Sequence, residues 1–277
     1  MGVENFIPKI WSAKLLVRLR KALVFGQVAN KDYEGEISGA GDTVKINEIG
    51  PITVNTYTRG AAITWQTLTS ADKYLLIDQE KYFAYSIDDV DNAQTKPKLI
   101  NGAMSEAAYS VSDTIDQFLA GKYAEAGNSV TALTVTAGNV LLNLSNFQLE
   151  LDEANVPTGN RVIIIPPWYN QHLVLAASGA VSATATVKTT GDGLISNGYV
   201  GHLFGFDILL SNNVNNNGTV WNIMALDRSA LTYAGQISKM EAVKRESYFD
   251  EGIKGLYVYG AKVVRPNAMC YCAATKG

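Results

Sequence analysis

The stretch that decides the fold runs from residue 95 to residue 124: TKPKLINGAMSEAAYSVSDTIDQFLAGKYA. Ile100, Ala103, Met104, Ala107, Ala108, Val111, Ile115, Phe118 and Leu119 recur at the i, i+3, i+4, i+7 spacing of an amphipathic helix. Thr95 and Pro97 mark its start, and the segment from Gly121 to Gly127 marks its fraying end. At a rise of 1.5 Å per residue the helix spans about 40 Å, long beside an average helix of three turns. It reads as a spine, and the rest of the chain can be placed around it.

Downstream, residues 128–235 predict a compact α/β unit. A helix over 139–155 precedes Arg161 to Ile165, a run of the kind that forms a buried strand. Pro166 and Pro167 stop that strand, and Trp168 to Ala177 resumes as a helix. The Ser/Thr/Gly-rich segment from Ser178 to Gly201 predicts a surface loop. Phe204 to Leu210 and Thr219 to Leu226 predict a hairpin around Asn213 to Gly218, because Asn-Gly is a strong turn signal. Residues 237–249 and 256–265 follow as two strands, with Asp250 to Gly255 as their turn.

Upstream, residues 34–88 are punctuated by Gly35, Gly39, Gly41, Gly50, Pro51 and Gly60. Apolar residues alternate with polar ones at Val44 and Ile46, Ile52 and Val54, and Ile63 and Trp65. Half of each strand is Thr, Asn, Lys or Gln, so this β-arm has little core of its own and needs a partner surface. Residues 6–25 predict a further amphipathic helix. Ile7, Trp11, Leu15, Leu19 and Leu23 recur every four residues, and Lys14, Arg18 and Lys21 share another face.

Composition bounds the function. The chain has 277 residues, 47% of them apolar, enough for a sizeable core. Lys and Arg number 23 against 26 Asp and Glu, a net charge of −3. With a pI near 5.5, a dedicated nucleic-acid binder is disfavoured. Charge is uneven: Lys9, Lys14, Arg18, Arg20, Lys21 and Lys31 oppose only Glu4 and Asp32 in the first 32 residues. Asp78, Glu80, Asp88, Asp89 and Asp91 form an acidic stretch. A basic arm on an acidic body suggests that the arm lies on a body, its own or a neighbour's; a helix with a solvated basic face is the equal alternative. No apolar run reaches the ~18 residues of a membrane span. Pro8, Lys9 and Lys14 interrupt any signal-peptide core, so a soluble intracellular protein is expected.

No catalytic, cofactor-binding or metal-binding constellation emerges. His172 and His202 are the only histidines and no G-x-S-x-G elbow occurs, so nucleophilic catalysis lacks its base. Cys270 and Cys272, one residue apart, have neither disulfide nor zinc spacing and read as packing residues on a strand. Gly191-Asp192-Gly193-Leu194-Ile195-Ser196 resembles a phosphate cradle but has no strand before it. Asp88, Asp89 and Asp91 lack the ligand alternation of an EF-hand loop; their place just before the spine helix suits its macrodipole. Asn143-Leu144-Ser145 and Asn217-Gly218-Thr219 match glycosylation sequons, which mean little without a secretion signal.

The order of these parts, and the residues themselves, resemble the major capsid (coat) proteins of tailed bacteriophages. The local matches begin at Glu4-Asn5-Phe6-Ile7-Pro8 with Ile10-Trp11-Ser12-Ala13, and at Asp32-Tyr33-Glu34-Gly35-Glu36-Ile37. They continue at Gly41-Asp42-Thr43-Val44 with Ile46-Asn47, at Ile77-Asp78-Gln79 with Lys81-Tyr82-Phe83, and at Asp88-Asp89-Val90-Asp91. A glycine-aromatic stretch follows at Gly198-Tyr199-Val200-Gly201, with Gly205-Phe206-Asp207 and Ser211-Asn212.

The resemblance implies an α+β protein with the tailed-phage and herpesvirus-type capsid fold. Residues 1–33 would be the N-terminal arm and 34–88 an extended β-loop over a neighbouring subunit. Residues 89–127 with 237–277 would form a peripheral domain built on the spine helix, and 128–236 an axial domain. The implied function is a structural major capsid protein, not an enzyme and without cofactors. It would self-assemble through pentamers and hexamers into an icosahedral shell, in the virion and, during assembly, in the host cytoplasm. Implied partners are copies of itself, a separate scaffolding protein, a portal, a decoration protein and packaged DNA touched non-specifically, with no membrane. The assembly contacts expected on this reading are Trp11 and Arg18, then Tyr57, Arg59 and Trp65, then Asp88, Asp89 and Asp91.

Three other readings compete. An encapsulin-like cellular compartment shares the fold but packages an enzyme. A surface-layer protein or adhesin would fit the abundant Asn, Thr and Ser, and an enzyme with an atypical site would need His172 or His202. Some chains of this fold cross-link neighbours through a Lys–Asn isopeptide bond. The spacing of Lys45, Lys73 and Asn267 singles none of them out, so non-covalent assembly is expected.

Overall fold

The computed structural model describes residues 23–32, 43–49, 52–60, 62–63, 65–67, 70–88, 98–176, 199–244 and 250–277. The fully buried strand β5, Arg161–Ile165, lies inside a mixed six-stranded sheet. In order across the sheet its strands are β4 (Asn128–Val135), β11 (Met269–Lys276), β8 (Val220–Asp227), β5, β7 (Phe206–Leu210) and β6 (Tyr199–Leu203). Parallel pairs are β4 with β11 and β5 with β7; the other neighbours are antiparallel. A strand buried on both faces reads as an unbroken apolar run, which is why Val162 to Ile165 carries no polar alternation.

Two helices, α3 (Val140–Glu153) and α4 (Pro167–Leu175), contribute Val140, Leu144, Phe147, Leu151, Tyr169 and Leu173 to the main core. Pro167 sits in the first turn of α4, where its missing N–H costs nothing. Cys270 and Cys272 are buried in this core as free thiols.

The spine helix, α2, runs over Lys98–Ala120 and continues as a 3₁₀ turn over Gly121–Glu125. Its C-terminal end enters the main core through Ile115, Leu119 and Ala120. There Phe118 meets Tyr259 edge to face at 5.3 Å, and the Lys122 ammonium stands 5.1 Å from the Phe118 ring centre. Tyr259 belongs to β10 (Asp250–Val263), the middle strand of a three-stranded antiparallel sheet between β3 (Gln79–Asp88) and β9 (Leu231–Lys244).

The predicted β-arm is a two-stranded antiparallel ribbon, β1 (Thr43–Ile49) with β2 (Ser70–Leu76). Its foot is a small core of Val44, Ile46, Leu75 and Ile77 against Ala234 and Val258 of β9 and β10. Lys73 adds a hydrogen bond from Nζ to the Val264 carbonyl at 2.5 Å. The short helix α1, Phe25–Val28, buries Val24, Phe25 and Val28 in the main core. Just beyond it, Asn30 pairs in parallel with Thr232 on the edge of β9.

Several sequence expectations are corrected. Phe206–Leu210 and Val220–Asp227 do not form a hairpin, because β5 lies between them. The antiparallel partner of β7 is β6 (Tyr199–Leu203), whose first residues, 199–201, were expected in a loop. The turn joining them holds Phe204 at φ +51° and Gly205 at φ +78°. Residues 250–255 are strand, not turn: Glu251 already pairs with Lys244. Ile52 to Val54 and Ile63 carry no strand pairing. The closing strand Met269–Lys276 sits in the six-stranded sheet, and Gln79–Asp88 in the three-stranded one. The helix expected over 6–25 lies outside the described residues up to residue 22; Leu23 and Val24 are not helical and α1 starts afresh at Phe25.

Candidate assembly surfaces

Beyond β1 and β2 the ribbon ends in a tip, residues 52–67, whose described side chains are all exposed. Ile52, Val54, Tyr57, Ile63 and Trp65 are 70%, 93%, 71%, 68% and 89% exposed. The two limbs of the tip are tied by the Thr53 N–H donating to Gln66 Oε1 at 2.8 Å. An isolated exposed apolar residue is ordinary, but five on one short projection form a surface that favours cover.

Of the residues expected from the sequence to make assembly contacts, the structure gathers Tyr57, Arg59 and Trp65 on this tip. Asp88 lies elsewhere, closing β3 in register with Asp250. Trp11, Arg18, Asp89 and Asp91 lie outside the described residues. Ile52, Val54 and Ile63 share this exposed tip and were not named among the expected contacts. Their signal was available: apolar alternation in a segment with too few apolar partners to make a core.

The described residues offer little for chemistry. His202 Nδ1 stands 3.1 Å from Asp207 Oδ1, with Arg228 at 3.8 Å from the same carboxylate, on an exposed hairpin end. His172 lies edge-on to Trp168, which in turn meets Trp221. Burial, with Glu150 nearby, pushes the Cys270 thiol up to about 12, the opposite of an activated nucleophile. Burial likewise raises Cys272 and Tyr169, and Tyr169 donates to Asn143 Oδ1 at 2.9 Å as a core tie. Among the described residues no group of three His, Cys, Asp or Glu side chains is arranged to hold a metal. No described helix is long and apolar enough to cross a membrane. A hollow of about 290 Å³ between Gln117 and the loop from Asn212 to Asn216 is lined by amides, with neither a nucleophile nor a base.

Comparison with known proteins gives one consistent result. The family model of the phage capsid protein matches residues 47–272. A solved chain from Mycobacterium phage Che8 is 28% identical, with a TM-score of 0.76 over 98% of both chains. The capsid structure of the cyanophage P-SCSP1u is 18% identical, with a TM-score of 0.76 over 100% of this chain and 95% of that one. The capsid of Ralstonia phage GP4 is 13% identical, with a TM-score of 0.66 over 100% and 98%. Among curated proteins none matches significantly. The encapsulin reading is not favoured by any of these matches. A ribbon with an apolar tip, a long spine helix and two sheets, matched along most of its length by that family model, places the chain in the phage capsid protein family, as a structural major capsid protein of tailed phages.

Proposed function

We propose that the chain is the repeating subunit of an icosahedral shell, assembled through pentamers and hexamers around double-stranded DNA. The observation that carries this reading is the tip at 52–67. Its large apolar side chains are exposed, and a second copy of the chain is the partner that a closed homomeric shell supplies. Each such contact can be weak, since many per subunit add up across a shell.

The unit built on the six-stranded sheet, residues 128–236 with the closing strand Met269–Lys276, takes the axial role around the symmetry centres. Residues 89–127 with the strands of 237–263 take the peripheral role, 34–88 is the extended loop and 1–33 the N-terminal arm. The mildly acidic subunit, with a net charge of −3, suits a container whose DNA is touched non-specifically and released rather than gripped. A separate scaffolding protein, a portal and a decoration protein complete the particle. The subunit carries no enzymatic activity and works in the virion after assembly in the host cytoplasm.

Deleting residues 52–64 tests the reading. The expected product is a folded, soluble subunit that no longer closes shells, and normal shells from the deletion would overturn the assignment.

A further inference from the structure

Asn-Gly pairs stand at Asn101-Gly102, Asn197-Gly198 and Asn217-Gly218. Such a pair is where a chain most readily modifies itself, because glycine has no Cβ to block the approach of its own nitrogen. That nitrogen attacks the asparagine Cγ and closes a cyclic imide, while the Cγ–Nδ2 bond breaks and the nitrogen's proton leaves with ammonia. Water then opens the imide at either carbonyl and leaves aspartate or isoaspartate, with no oxidant or reductant consumed. Asn101 lies within helix α2 and Asn197 outside the described residues, whereas Asn217 is exposed at a turn.

Packing does not shield this third pair. Gly218, at φ +90°, has nothing within 4 Å of the place a Cβ would take. Hydrogen bonding, however, engages both reacting groups. The Gly218 N–H donates to Asn216 Oδ1 at 3.2 Å. Asn217 Oδ1 accepts the Val220 N–H at 2.8 Å and the Thr219 N–H at 3.1 Å, folding the carboxamide over the following residues as an Asx turn does. Asn216 is itself fixed, its Nδ2 donating to the Val214 carbonyl at 3.0 Å. Below the turn, Asn222 donates from its backbone N–H to the Asn215 carbonyl at 2.8 Å and from Nδ2 to Asn215 Oδ1 at 2.9 Å. For the Gly218 nitrogen to reach Cγ, it must give up its acceptor, and the carboxamide must leave the grip of two amides. Each bond surrendered adds its net worth to the barrier.

We propose that Asn217-Gly218 is a latent deamidation site, held intact by its turn with Asn216 as the guard. Opening the turn releases the three bonds together and lets Asn217 become aspartate or isoaspartate. Either product places a negative charge just before β8, and isoaspartate also lengthens the backbone beside the Asn216–Trp221 bridge.

Ageing the unassembled full-length subunit at mildly alkaline pH tests this, read by mass spectrometry of the peptide that carries Asn217. The signal is the mass gain from amide to acid, with isoaspartate separated by its elution. The folded chain is expected to convert at least about tenfold more slowly than the same chain unfolded in urea, since more than one bond must be surrendered. Asn216→Ala, its fold checked by circular dichroism, is expected to convert at Asn217 about fivefold faster than the parent, the worth of one hydrogen bond. Asn217→Gln, a methylene longer, is expected to show no mass gain over the same period. A gain that persists in Asn217→Gln, or a parental rate in Asn216→Ala, would overturn the proposal. So would a folded chain that converts as fast as the unfolded one or faster, the outcome if the Thr219 and Val220 amides instead stabilise charge developing on Oδ1. None of these results depends on whether the subunit builds shells.

Discussion

Gly260 passes so close under Leu76 that a Cβ at residue 260 would stand 2.1 Å from the Leu76 carbonyl oxygen. The contact is with backbone, so no rotamer change can relieve it. It lies where the ribbon's second strand ends against β10, beside the small core of Val44, Ile46, Leu75 and Ile77 that roots the arm. This one missing side chain sets the take-off of the arm from the body.

Gly260→Ala is therefore expected to cost about 2 kcal/mol by overpacking, and to disturb the arm's attachment more than the sheet. Urea unfolding gives the first quantity, and limited proteolysis of the arm the second. A variant as stable and as protected as the parent would contradict the role given to Gly260.

Arg161 is the largest buried polar side chain, 1% exposed, at the head of β5. Its Nε donates to the Pro157 carbonyl at 3.1 Å, Nη2 donates to the Val156 carbonyl, and Nη1 stands 2.6 Å from Asp152 Oδ1. Nη1 has no well-aligned hydrogen bond, so the contact with Asp152 is an ion pair of close approach. Asp152 is 44% exposed, and water screens its share. Truncation in Arg161→Ala strands both carbonyls and leaves a void, at an expected cost of about 3 kcal/mol. Arg161→Lys keeps the charge without the fork and is expected to lose about half of that. Chemical denaturation checks both, and equal losses would contradict the fork.

Glu125 ties the end of the spine helix to β10 and makes stability depend on pH. Burial alone would raise its carboxyl, but the hydrogen bond and charge of Lys122 at 2.8 Å, the Val263 amide at 3.3 Å and Lys262 at 3.6 Å hold it below the ordinary range. A carboxyl lowered on folding stabilises above its unfolded pKa, and that stability is lost as pH falls through the lowered value. Thermal melts taken from about pH 7 down to about pH 3 should show a shallower acid limb for Glu125→Gln than for the parent. Superimposable limbs would contradict this.

Assembled particles are expected to give a single monomer band on a boiled, reduced denaturing gel. Lys73 spends its ammonium on the Val264 carbonyl at the arm's root. A ladder of covalent multimers would contradict non-covalent assembly.

What the sequence made legible follows from range. The spine helix was read within a few residues of Lys98–Ala120 because its pattern is local and repeats over many turns. Arg161–Ile165 was placed to the residue, since a run buried on both faces needs no partner to be recognised. Strand pairing was not legible. Asn217-Gly218 does make a turn, with Gly218 at φ +90°, but only between Asn216 and Trp221. The strands on either side are separated by β5, which entered the sheet fifty residues earlier. Asp250 to Gly255 misled because acidic and glycine residues signal a turn. Gly255 is instead a strand glycine over which the Phe83 ring lies, where a Cβ would meet that ring at 2.4 Å. Of the candidate surface, Tyr57, Arg59 and Trp65 could be named from residue type. Which apolar residues the arm leaves uncovered required knowing that its pairing ends at Ile49 and Ser70.

The most direct test of the central claim is sedimentation with negative-stain electron microscopy of the full chain, expressed alone and then with the products of its neighbouring reading frames. The account predicts closed shells, tubes or uniform capsomers. A stable monomer under every condition, unmoved by added partners, would contradict it.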